Sequence, residues 1–370
     1  MEFRITKNEL LKSLGRIQAI VEKRNTMPIL ANTLIEADGE RITISATDLD
    51  VGIRGTYPAT VTKKGSVTVS AKKLYEVVRE LPDKAIHVSR KENNWVEITC
   101  AKIVFRLVGL PPEEYPALPK IDEKNLVQIE SETIHGMIEK TLYAVSNEEA
   151  RYNLNGIYLD VEPEGNLLRM VSTDGHRLAL VERKIEGADF TRFDKGVIVP
   201  KKGILEWKRL LEEDDEPVEM GFRKNHGVIR KKDVLLVIRL IDGEFPDYKQ
   251  VIPSDLKRNL TVGRETLLAS LRRISVLATE KSRSLKLEIG KRQLLLSSNN
   301  PDLGEAREEI EVDYSGEALS IGFNARYLMD ALAALTCKEV RLGLNDELSP
   351  GTICPADDDM TLAVVMPMRI

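Results

Sequence analysis

Residues 170–174 read MVSTD, and this strand end decides the fold because it recurs at a constant interval. Residues 44–48 read ISATD, 126 positions earlier, and residues 296–300 read LSSNN, 126 positions later. A period this long exceeds that of solenoid repeats, so each repeat is predicted to be a domain. Each strand end follows an amphipathic helix, which the apolar spacing predicts over residues 9–21, 132–145 and 265–278.

The second half of each repeat is also similar. An alternating strand enters a helix at residues 67–74 (VTVSAKKL), 197–204 (VIVPKKGI) and 319–326 (LSIGFNAR). Prolines crowd residues 111–119, and Pro253 lies after the second repeat, so we expect domain boundaries near residues 125 and 258. The sequence predicts an α+β fold of three similar domains, each with two helices packed on antiparallel sheets, spanning residues 1–125, 126–257 and 258–370.

The composition is that of a soluble globular protein. The 370 residues are 42% hydrophobic and 31% charged, with no run of 18 apolar residues, which argues against a disordered chain and a transmembrane helix. Residues 1–5 (MEFRI) do not start a secretory signal, so the expected location is the cytoplasm. The cysteines are too far apart for a paired zinc site and are predicted to be ordinary thiols: Cys100, Cys337 and Cys354.

Charge is segregated along the chain although the total is nearly balanced. Lys and Arg number 54 and Asp and Glu number 59, so a net charge of −5 excludes binding of DNA by bulk charge. Thr6 and Glu9 predict a capping box for the first helix, whose solvent face is basic, while acids cluster in loops 212–216 and 357–359. Basic helix faces are either ordinary solvated surfaces or, if the repeats surround an axis, one surface that faces a polyanion.

Helix dimensions predict how many chains such an arrangement would need. Six helices about 10 Å wide, placed in a ring, leave a clear bore of roughly 9 Å, which is too narrow for a DNA duplex. Twelve helices leave roughly 28 Å, which is wide enough. Passage of duplex DNA would therefore require a dimer.

No catalytic, metal or nucleotide site is recognisable in the sequence. The histidines have neither a partner four residues away nor a neighbouring cysteine, so no zinc site is predicted: His87, His135, His176 and His226. Asp174 and His176 lack a Gly-x-Ser-x-Gly nucleophile elbow, and no glycine-rich phosphate loop is present. We therefore expect a protein that is not an enzyme and that needs no cofactor.

Three segments together resemble the bacterial sliding clamp family, the beta subunit of DNA polymerase III: TDGHRL at 173–178, FPDY at 245–248 and VVMPMRI at 364–370. The resemblance covers the whole chain in order. It implies a head-to-tail homodimeric ring that encircles double-stranded DNA and confers processivity on the replicative DNA polymerase. It also implies a partner site for short peptides of the replicative polymerase subunit, the clamp loader, repair polymerases and other clamp-binding proteins.

The resemblance assigns residues to two sites. The peptide site is expected to comprise Leu154, Thr173, Gly175, His176, Arg177, Leu178, Pro246, Val251, Asn324, Tyr327, Leu348, Pro350, Val364, Val365, Met366, Pro367, Met368, Arg369 and Ile370. The DNA-binding residues are expected to be Arg24, Lys72, Lys73, Tyr152, Asn153, Lys201 and Lys202, with Glu148 nearby. Gln250 and Ser282 depart from the family pattern at the groove edge and are expected to alter peptide preference.

Two alternatives remain at this level. The chain could be a peptide-binding scaffold that does not encircle DNA, although a scaffold has no need for basic helix faces. The C-terminal apolar segment could likewise be only the final strand of a sheet. Its Val, Met and Pro side chains nevertheless suit an adaptable anchor site, because methionine repacks around varied ligands.

Overall fold

The computed structural model describes residues 1–21, 27–119, 126–188, 190, 196–223, 225–278 and 283–369. It divides into two compact units. The first comprises Met1–Ser131 with Lys202–Leu240, and the second comprises Glu132–Lys201 with Ile241–Ile370. This division passes through the central repeat, because that repeat contributes strands to a sheet in each unit. The expected boundaries near residues 125 and 258 therefore do not coincide with the units.

Six α-helices are present among the described residues, two for each repeat. They are α1 (Lys7–Ile17), α2 (Ala71–Glu80), α3 (Ser131–Glu139), α4 (Lys201–Leu211), α5 (Arg264–Ile274) and α6 (Ala325–Ala333). The predicted cap of α1 is confirmed, since the Thr6 hydroxyl accepts a hydrogen bond from the Glu9 amide at 3.3 Å. The predicted apolar face of α1 is also confirmed, with Leu10, Leu14 and Ile17 all buried.

The first helix of each repeat is shorter than its apolar spacing predicts. Helix α1 ends at Ile17, where the Gln18 side chain donates to the Leu14 carbonyl at 3.1 Å. Helix α3 ends at Glu139, just before the Thr141 hydroxyl donates to the Met137 carbonyl at 2.8 Å. Side chains thus satisfy carbonyls that lack a helical partner. Buried apolar residues continue beyond these ends, which explains why the apolar spacing predicted longer helices.

Two antiparallel sheets make up the first unit. The five-stranded sheet has the order β5-β1-β7-β8-β9 and contains β1 (Glu2–Ile5), β5 (Thr60–Lys63), β7 (Ile86–Arg90), β8 (Val96–Cys100) and β9 (Ile103–Leu107). The nine-stranded sheet has the order β10-β6-β2-β3-β4-β18-β17-β16-β11. Its strands are β2 (Asn32–Asp38), β3 (Arg41–Thr47), β4 (Val51–Pro58), β6 (Gly65–Ser70), β10 (Gly109–Leu110), β11 (Val127–Ile129), β16 (Val218–Arg223), β17 (His226–Lys231) and β18 (Val234–Arg239).

The second unit also has two antiparallel sheets. The eight-stranded sheet, ordered β15-β12-β13-β14-β26-β25-β24-β19, contains β12 (Gly156–Glu162), β13 (Leu167–Thr173), β14 (Arg177–Lys184), β15 (Val197–Pro200), β19 (Arg258–Gly263), β24 (Glu339–Leu344), β25 (Gly351–Pro355) and β26 (Thr361–Val365). The four-stranded sheet, ordered β22-β21-β20-β23, contains β20 (Ser284–Gly290), β21 (Gln293–Asn300), β22 (Gly304–Glu311) and β23 (Leu319–Asn324).

Neighbouring repeats share a continuous sheet at two seams. In the first unit β4 pairs with β18, and in the second unit β14 pairs with β26. Each seam joins a strand of one repeat to a strand of the next, so the backbone ladder runs uninterrupted from repeat to repeat. The sequence showed the repeats but not these seams.

Apolar side chains fill the layer between helices and sheets, as the sequence patterns predict. Trp207, Phe3 and Phe323 are among the largest fully buried side chains. Cys100 is buried and the other two cysteines are half-buried free thiols, as expected. Within the described ranges, no helix is long and apolar enough to span a bilayer, and no three His, Cys, Asp or Glu side chains cluster as a metal site.

Candidate functional site

The turn between β13 and β14, in the second unit, is held by the side chains of its own sequence. The Thr173 hydroxyl accepts from the Gly175 amide at 3.1 Å and donates to the Arg177 carbonyl at 2.6 Å. One Asp174 carboxylate oxygen accepts from the amides of His176 and Arg177, both at 3.0 Å. Gly175 has φ +86°, a left-handed conformation that glycine adopts without steric cost. The TDGHR sequence thus encodes a rigid turn that leaves His176 exposed.

Arg177 connects this turn to α6. Its Nε donates to Asp174 at 3.0 Å, and its Nη1 donates to Asp330 of α6 at 2.6 Å. The guanidinium carbon lies 5.4 Å from the ring centre of Tyr143 and 4.6 Å from that of Tyr327. Only 10% of the Arg177 side chain is exposed. The two carboxylates and two aromatic faces therefore hold one cation in a fixed position.

The tyrosines around Arg177 act as neutral aromatic walls. Burial raises the pKa of the Tyr143 hydroxyl, and burial also raises the pKa of Tyr327. The His176 ring stacks on Tyr327 with 6.2 Å between ring centres and 17° between planes. The exposed imidazole is thus backed by a phenol ring that stays protonated at neutral pH.

The segment after β26 completes the wall beside the turn. Strand β26 pairs with β14, so that Val365 lies opposite Arg177 and Val364 opposite Leu178. The Met366 amide then donates to the His176 carbonyl at 2.9 Å. Two residues later, the Met368 amide donates to the Gly322 carbonyl of β23 at 2.8 Å. The segment is therefore more than the end of one sheet, because it bridges the eight-stranded and four-stranded sheets.

An apolar cluster lies beside the turn. Its buried members are Val171, Leu178, Leu180, Tyr248 and Val364, and partly buried Tyr158, Phe245, Ile252 and Leu362 pack against them. Tyr158 and Phe245 stack with their ring centres 4.9 Å apart and their planes 7° apart. Exposed apolar side chains flank the cluster, including Val251 (42% exposed) and Met366 (38% exposed). A buried apolar floor with an exposed apolar rim suits the anchor side chains of a peptide.

Most of the expected peptide-site residues belong to elements joined by described contacts. Hydrogen bonds and ring contacts join the turn, the segment after β26, strand β23 and Tyr327 of α6. Asn324 ends β23 and caps α6, where its side chain accepts from the Arg326 amide at 3.0 Å. Leu154 is buried, with its carbonyl accepting from the Ser146 amide at 3.1 Å. Pro246 and Arg369 are exposed and Pro350 and Pro367 half-buried. Leu348 is 68% exposed in a loop closed by Asp346. Ile370 lies outside the described residues.

The expected DNA-binding lysines differ in what they contact. Lys72 and Lys73 begin α2 and are exposed, and both approach Glu76, at 3.7 and 2.8 Å. Lys201 donates to the Asn147 side chain at 2.7 Å. Lys202 instead forms an ion pair with Asp48, whose side chain is only 3% exposed. Lys202 is thus engaged by the fold in a way that the other lysines are not.

The remaining expected DNA contacts are placed as follows. Tyr152 is 58% exposed, and Asn153 donates to the Glu244 carbonyl at 3.0 Å. Glu148 lies 3.5 Å from the Arg151 guanidinium. Arg24 lies outside the described residues, as does Ser282.

Sequence reasoning missed the residues that hold Arg177. Tyr143 and Asp330 belong to segments far from the turn in sequence, and nothing in their local pattern marks them. Asp330 follows Arg326 by four residues, at 3.7 Å, which resembles an ordinary surface helix pair. Phe245 and Tyr248 could be found from the sequence, because the FPDY segment contributed to the family resemblance.

Two strand edges form a second feature of the surface. Strand β9 ends the order of the five-stranded sheet, and its Ile103, Val104 and Phe105 are 39%, 54% and 37% exposed. Strand β22 ends the order of the four-stranded sheet, and its sequence GEAREEIE is acidic. Among the described strands, neither edge has a second partner. An open apolar edge is a template for pairing with another chain.

Comparison with known proteins covers the whole chain. Models of the N-terminal, central and C-terminal domains of the DNA polymerase III beta subunit match residues 1–119, 128–247 and 249–369. A beta sliding clamp of Caulobacter vibrioides is 38% identical over 376 aligned positions, and one of Haemophilus influenzae is 35% identical over 371. Both alignments cover 100% of this chain and of the relative.

Solved structures agree with these sequence relatives. The sliding clamp of Pseudomonas aeruginosa, crystallised with a ligand, superposes with a TM-score of 0.95 at 34% identity and 100% coverage of both chains. The clamp of Bacillus subtilis gives 0.95 at 30% identity, covering 100% of this chain and 99% of the other.

The fold is that of a DNA sliding clamp with three beta-clamp domains rich in sheet. The chain belongs to the DNA polymerase III beta subunit family, whose members are non-enzymatic processivity factors in replication. The resemblance identified from the sequence is confirmed.

Proposed function

We propose that two copies of this chain form a head-to-tail ring that encircles double-stranded DNA and tethers the replicative polymerase in the cytoplasm. The observation that carries the proposal is the wall formed by the TDGHR turn and the 366–368 segment beside an apolar floor, in a chain that matches the sliding clamp family over its full length. We also propose three domains with boundaries near residues 125 and 258.

The strand edges support a head-to-tail arrangement. The apolar edge β9, next to Lys102 and Arg106, belongs to the first unit, and the acidic edge β22 belongs to the second unit. Pairing β9 of one copy with β22 of the next would extend both sheets and match opposite charges. Such an interface is heterologous, and with two copies it closes into a ring.

The groove beside the turn is proposed to take short peptides from the polymerase, the clamp loader, repair polymerases and other clamp-binding proteins. Apolar side chains of the peptide would enter the cluster around Leu178 and Val364, while exposed Val251 and Met366 repack around them. A solved Pseudomonas aeruginosa relative is described as bound to griselimycin. The proposed peptide site comprises the full set of expected residues, Ile370 included.

DNA contacts are proposed for Arg24, Lys72, Lys73, Tyr152, Asn153, Lys201 and Lys202. Contacts of Lys and Arg with phosphate carry no sequence information, which suits a ring that moves along any sequence. Lys202 is the weakest member of this set, because its ammonium group is already paired with buried Asp48.

The decisive experiment compares retention on closed and open DNA. The protein is loaded onto nicked circular plasmid with its cognate clamp loader, and half of the sample is then cut once with a restriction enzyme before gel filtration. A ring stays on the circle and slides off the linear DNA. Equal retention on both forms would refute encirclement and leave a peptide-binding scaffold, provided that a peptide still binds.

A matched pair of variants tests the DNA residues. Lys72→Ala with Lys73→Ala and Lys201→Ala should shorten retention on the circle at moderate salt, since phosphate contacts are lost. Arg41→Ala with Arg54→Ala and Lys84→Ala is the control, because these three exposed cations lie outside the proposed set. Unchanged retention of the triple variant would remove these lysines from the site.

A truncation tests the peptide site. Deleting residues 366–370 should abolish binding of a fluorescent clamp-loader peptide while light scattering still gives twice 41.6 kDa, because the segment contributes to the groove and not to the β9 or β22 edge. Unchanged peptide affinity would contradict the proposed site.

A further inference from the structure

An open depression with a volume of about 1090 Å³ lies in the first unit, away from the peptide groove. It crosses one end of the five-stranded sheet, with Lys63 at the end of β5, Arg90 at the end of β7, Trp95 just before β8 and Arg106 in β9. Neighbouring strands lie about 4.8 Å apart, so the part from β5 to β8, inside the edge strand that the proposed dimer uses, extends roughly 14 Å. That length accommodates more than one residue or nucleotide of an extended polymer.

Positive charge dominates the lining. Five basic side chains (Lys63, Lys64, Arg90, Lys91 and Arg106) face only two acidic ones (Glu92 and Glu97). Glu97 pairs with Lys91 at 3.0 Å and with Arg106 at 2.9 Å, and Lys64 pairs with exposed Asp38 at 2.7 Å, so these charges are compensated in part. For Lys63 and Arg90, no carboxylate among the described residues lies within ion-pair distance. Arg90 instead donates to the Ser66 carbonyl at 2.8 Å, which fixes its guanidinium at the depression. A ligand with negative charge would supply the missing partners.

An exposed aromatic ring stands beside these cations. Trp95 is 42% exposed, although tryptophan is usually well buried. It follows a tight turn in which Asn93 and Asn94 have φ of 54° and 63°. The Lys91 amide donates to the Trp95 carbonyl at 2.7 Å, which closes the turn. The turn therefore fixes the backbone of residue 95, and the exposed surface of its indole is available for stacking.

We propose that this depression binds single-stranded nucleic acid, with a base stacked on Trp95 and phosphates held by Lys63 and Arg90. Cations spaced along a groove next to an exposed aromatic ring are the elements with which proteins hold single strands without regard to sequence. Duplex DNA does not fit this arrangement, because its bases are stacked inside and cannot reach the indole. Inorganic phosphate would use the cations but not the ring.

Two measurements use the intact protein and a ten-nucleotide thymidine strand. Fluorescence anisotropy of the fluorescein-labelled strand gives the affinity, and the unlabelled strand is used to quench tryptophan fluorescence. The chain has two tryptophans, and Trp207 is fully buried, so quenching of intrinsic fluorescence by an unlabelled strand reports on Trp95. We expect quenching by the single strand, little quenching by a duplex of equal length, and none by inorganic phosphate. Equal quenching by duplex or by phosphate would overturn the stacking geometry.

Variants separate this site from the proposed bore. Trp95→Ala should weaken anisotropy-measured binding about fivefold or more, because loss of base stacking to alanine costs at least about 1 kcal/mol. Lys63→Ala with Arg90→Ala should lower the slope of log affinity against log salt by about 1.4, since each phosphate contact with a single strand contributes about 0.7. Arg41→Ala with Lys84→Ala is the matched control, which removes two exposed cations of the same unit that lie outside both proposed sites.

The control should leave both affinity and salt slope unchanged. If it weakens binding as much as the Lys63 and Arg90 variant does, surface charge in general holds the strand and the proposal is wrong. Lys72→Ala with Lys73→Ala probes the proposed bore, and if this pair weakens binding while the Lys63 and Arg90 pair does not, the strand binds in the bore and the proposal is also wrong. If a polyglutamate peptide competes as well as the oligonucleotide, the depression is a site for acidic proteins, which also overturns it. Circular dichroism and light scattering on each variant exclude loss of fold or of assembly as the cause of a change.

Discussion

The turns at residues 47–51 and 173–177 have the same hydrogen bonds from backbone amides to side-chain oxygens but differ in the further contacts of those side chains. Thr47 accepts from the Leu49 amide at 3.0 Å as Thr173 does from Gly175 at 3.1 Å. Asp48 accepts from the amides of Asp50 and Val51 at 2.9 and 2.6 Å, as Asp174 does from the amides two and three residues after it. The repeated Thr-Asp pair therefore encodes one turn twice.

The turns differ in what completes them. The first turn ends in buried Val51, its Asp48 pairs with Lys202, and the Tyr115 hydroxyl accepts from the Thr47 amide at 3.1 Å. The second ends in Arg177, which reaches across to Asp330 and leaves His176 exposed. The comparison teaches that the same turn can bury its carboxylate, as at Asp48, or use it to hold a half-buried arginine that reaches a neighbouring helix, as at Asp174.

The largest expected effect is that of removing Arg177. Arg177→Met leaves Asp174 without its cation and Asp330 with only the exposed Arg326, so the unfolding free energy should fall by about 3 kcal/mol. Peptide binding should fall with it, because Tyr327 loses its guanidinium partner. Urea denaturation and fluorescence anisotropy measure the two effects. Arg326→Ala is the control, since its 58% exposed side chain also approaches Asp330 and should cost less than about 1 kcal/mol.

The next largest effect is expected on removal of Lys202, the cation that pairs with Asp48 in the first turn. Lys202→Met should lower the unfolding free energy by about 2–3 kcal/mol, because Asp48 stays buried without an opposite charge. Lys201→Met, which removes only a bond to Asn147, should change stability by less than about 1 kcal/mol. Equal stability of the two variants would show that the Asp48 pair does not hold the first turn.

Much of this architecture could be predicted from the sequence, because the repeats and capping signals are local. The strand-to-helix transitions at residues 70, 200 and 324 and the Thr6 cap follow from patterns within a few residues. The seams β4–β18 and β14–β26 and the Arg177–Asp330 pair could not be predicted, since they join residues brought together only by the fold. The positions of the helix ends depended on side chains that cap carbonyls, which apolar spacing does not report.

A smaller effect is expected at the glycine of the second turn. Gly175→Ala places a Cβ in the left-handed region, at a cost of about 1 kcal/mol in unfolding free energy. The added carbon would lie 2.7 Å from the flexible end of Arg151, which can move away. Thermal unfolding measures the loss. No loss would mean that the turn relaxes and is less rigid than its hydrogen bonds indicate.

The smallest expected effect is an increase in the unfolding free energy on substitution of Leu49 in the first turn. Leu49 occupies the position of Gly175 with φ 81° and is 51% exposed, so the leucine is strained and buries little surface. Leu49→Asn should raise the unfolding free energy by about 0.5 kcal/mol, because asparagine tolerates this conformation better. Leu49→Ile, which is β-branched, should lower it. The opposite order of the two variants would contradict the strain.

The pairing of β26 with β14 determines when the groove can form during synthesis of the chain. Strand β14 leaves the ribosome well before β26, so its edge and the turn beside it wait for a partner from the next repeat. The wall of the groove forms only when the 366–368 segment has bonded to His176 and Gly322. The proposed peptide site is therefore incomplete on a nascent chain until these residues have been synthesised.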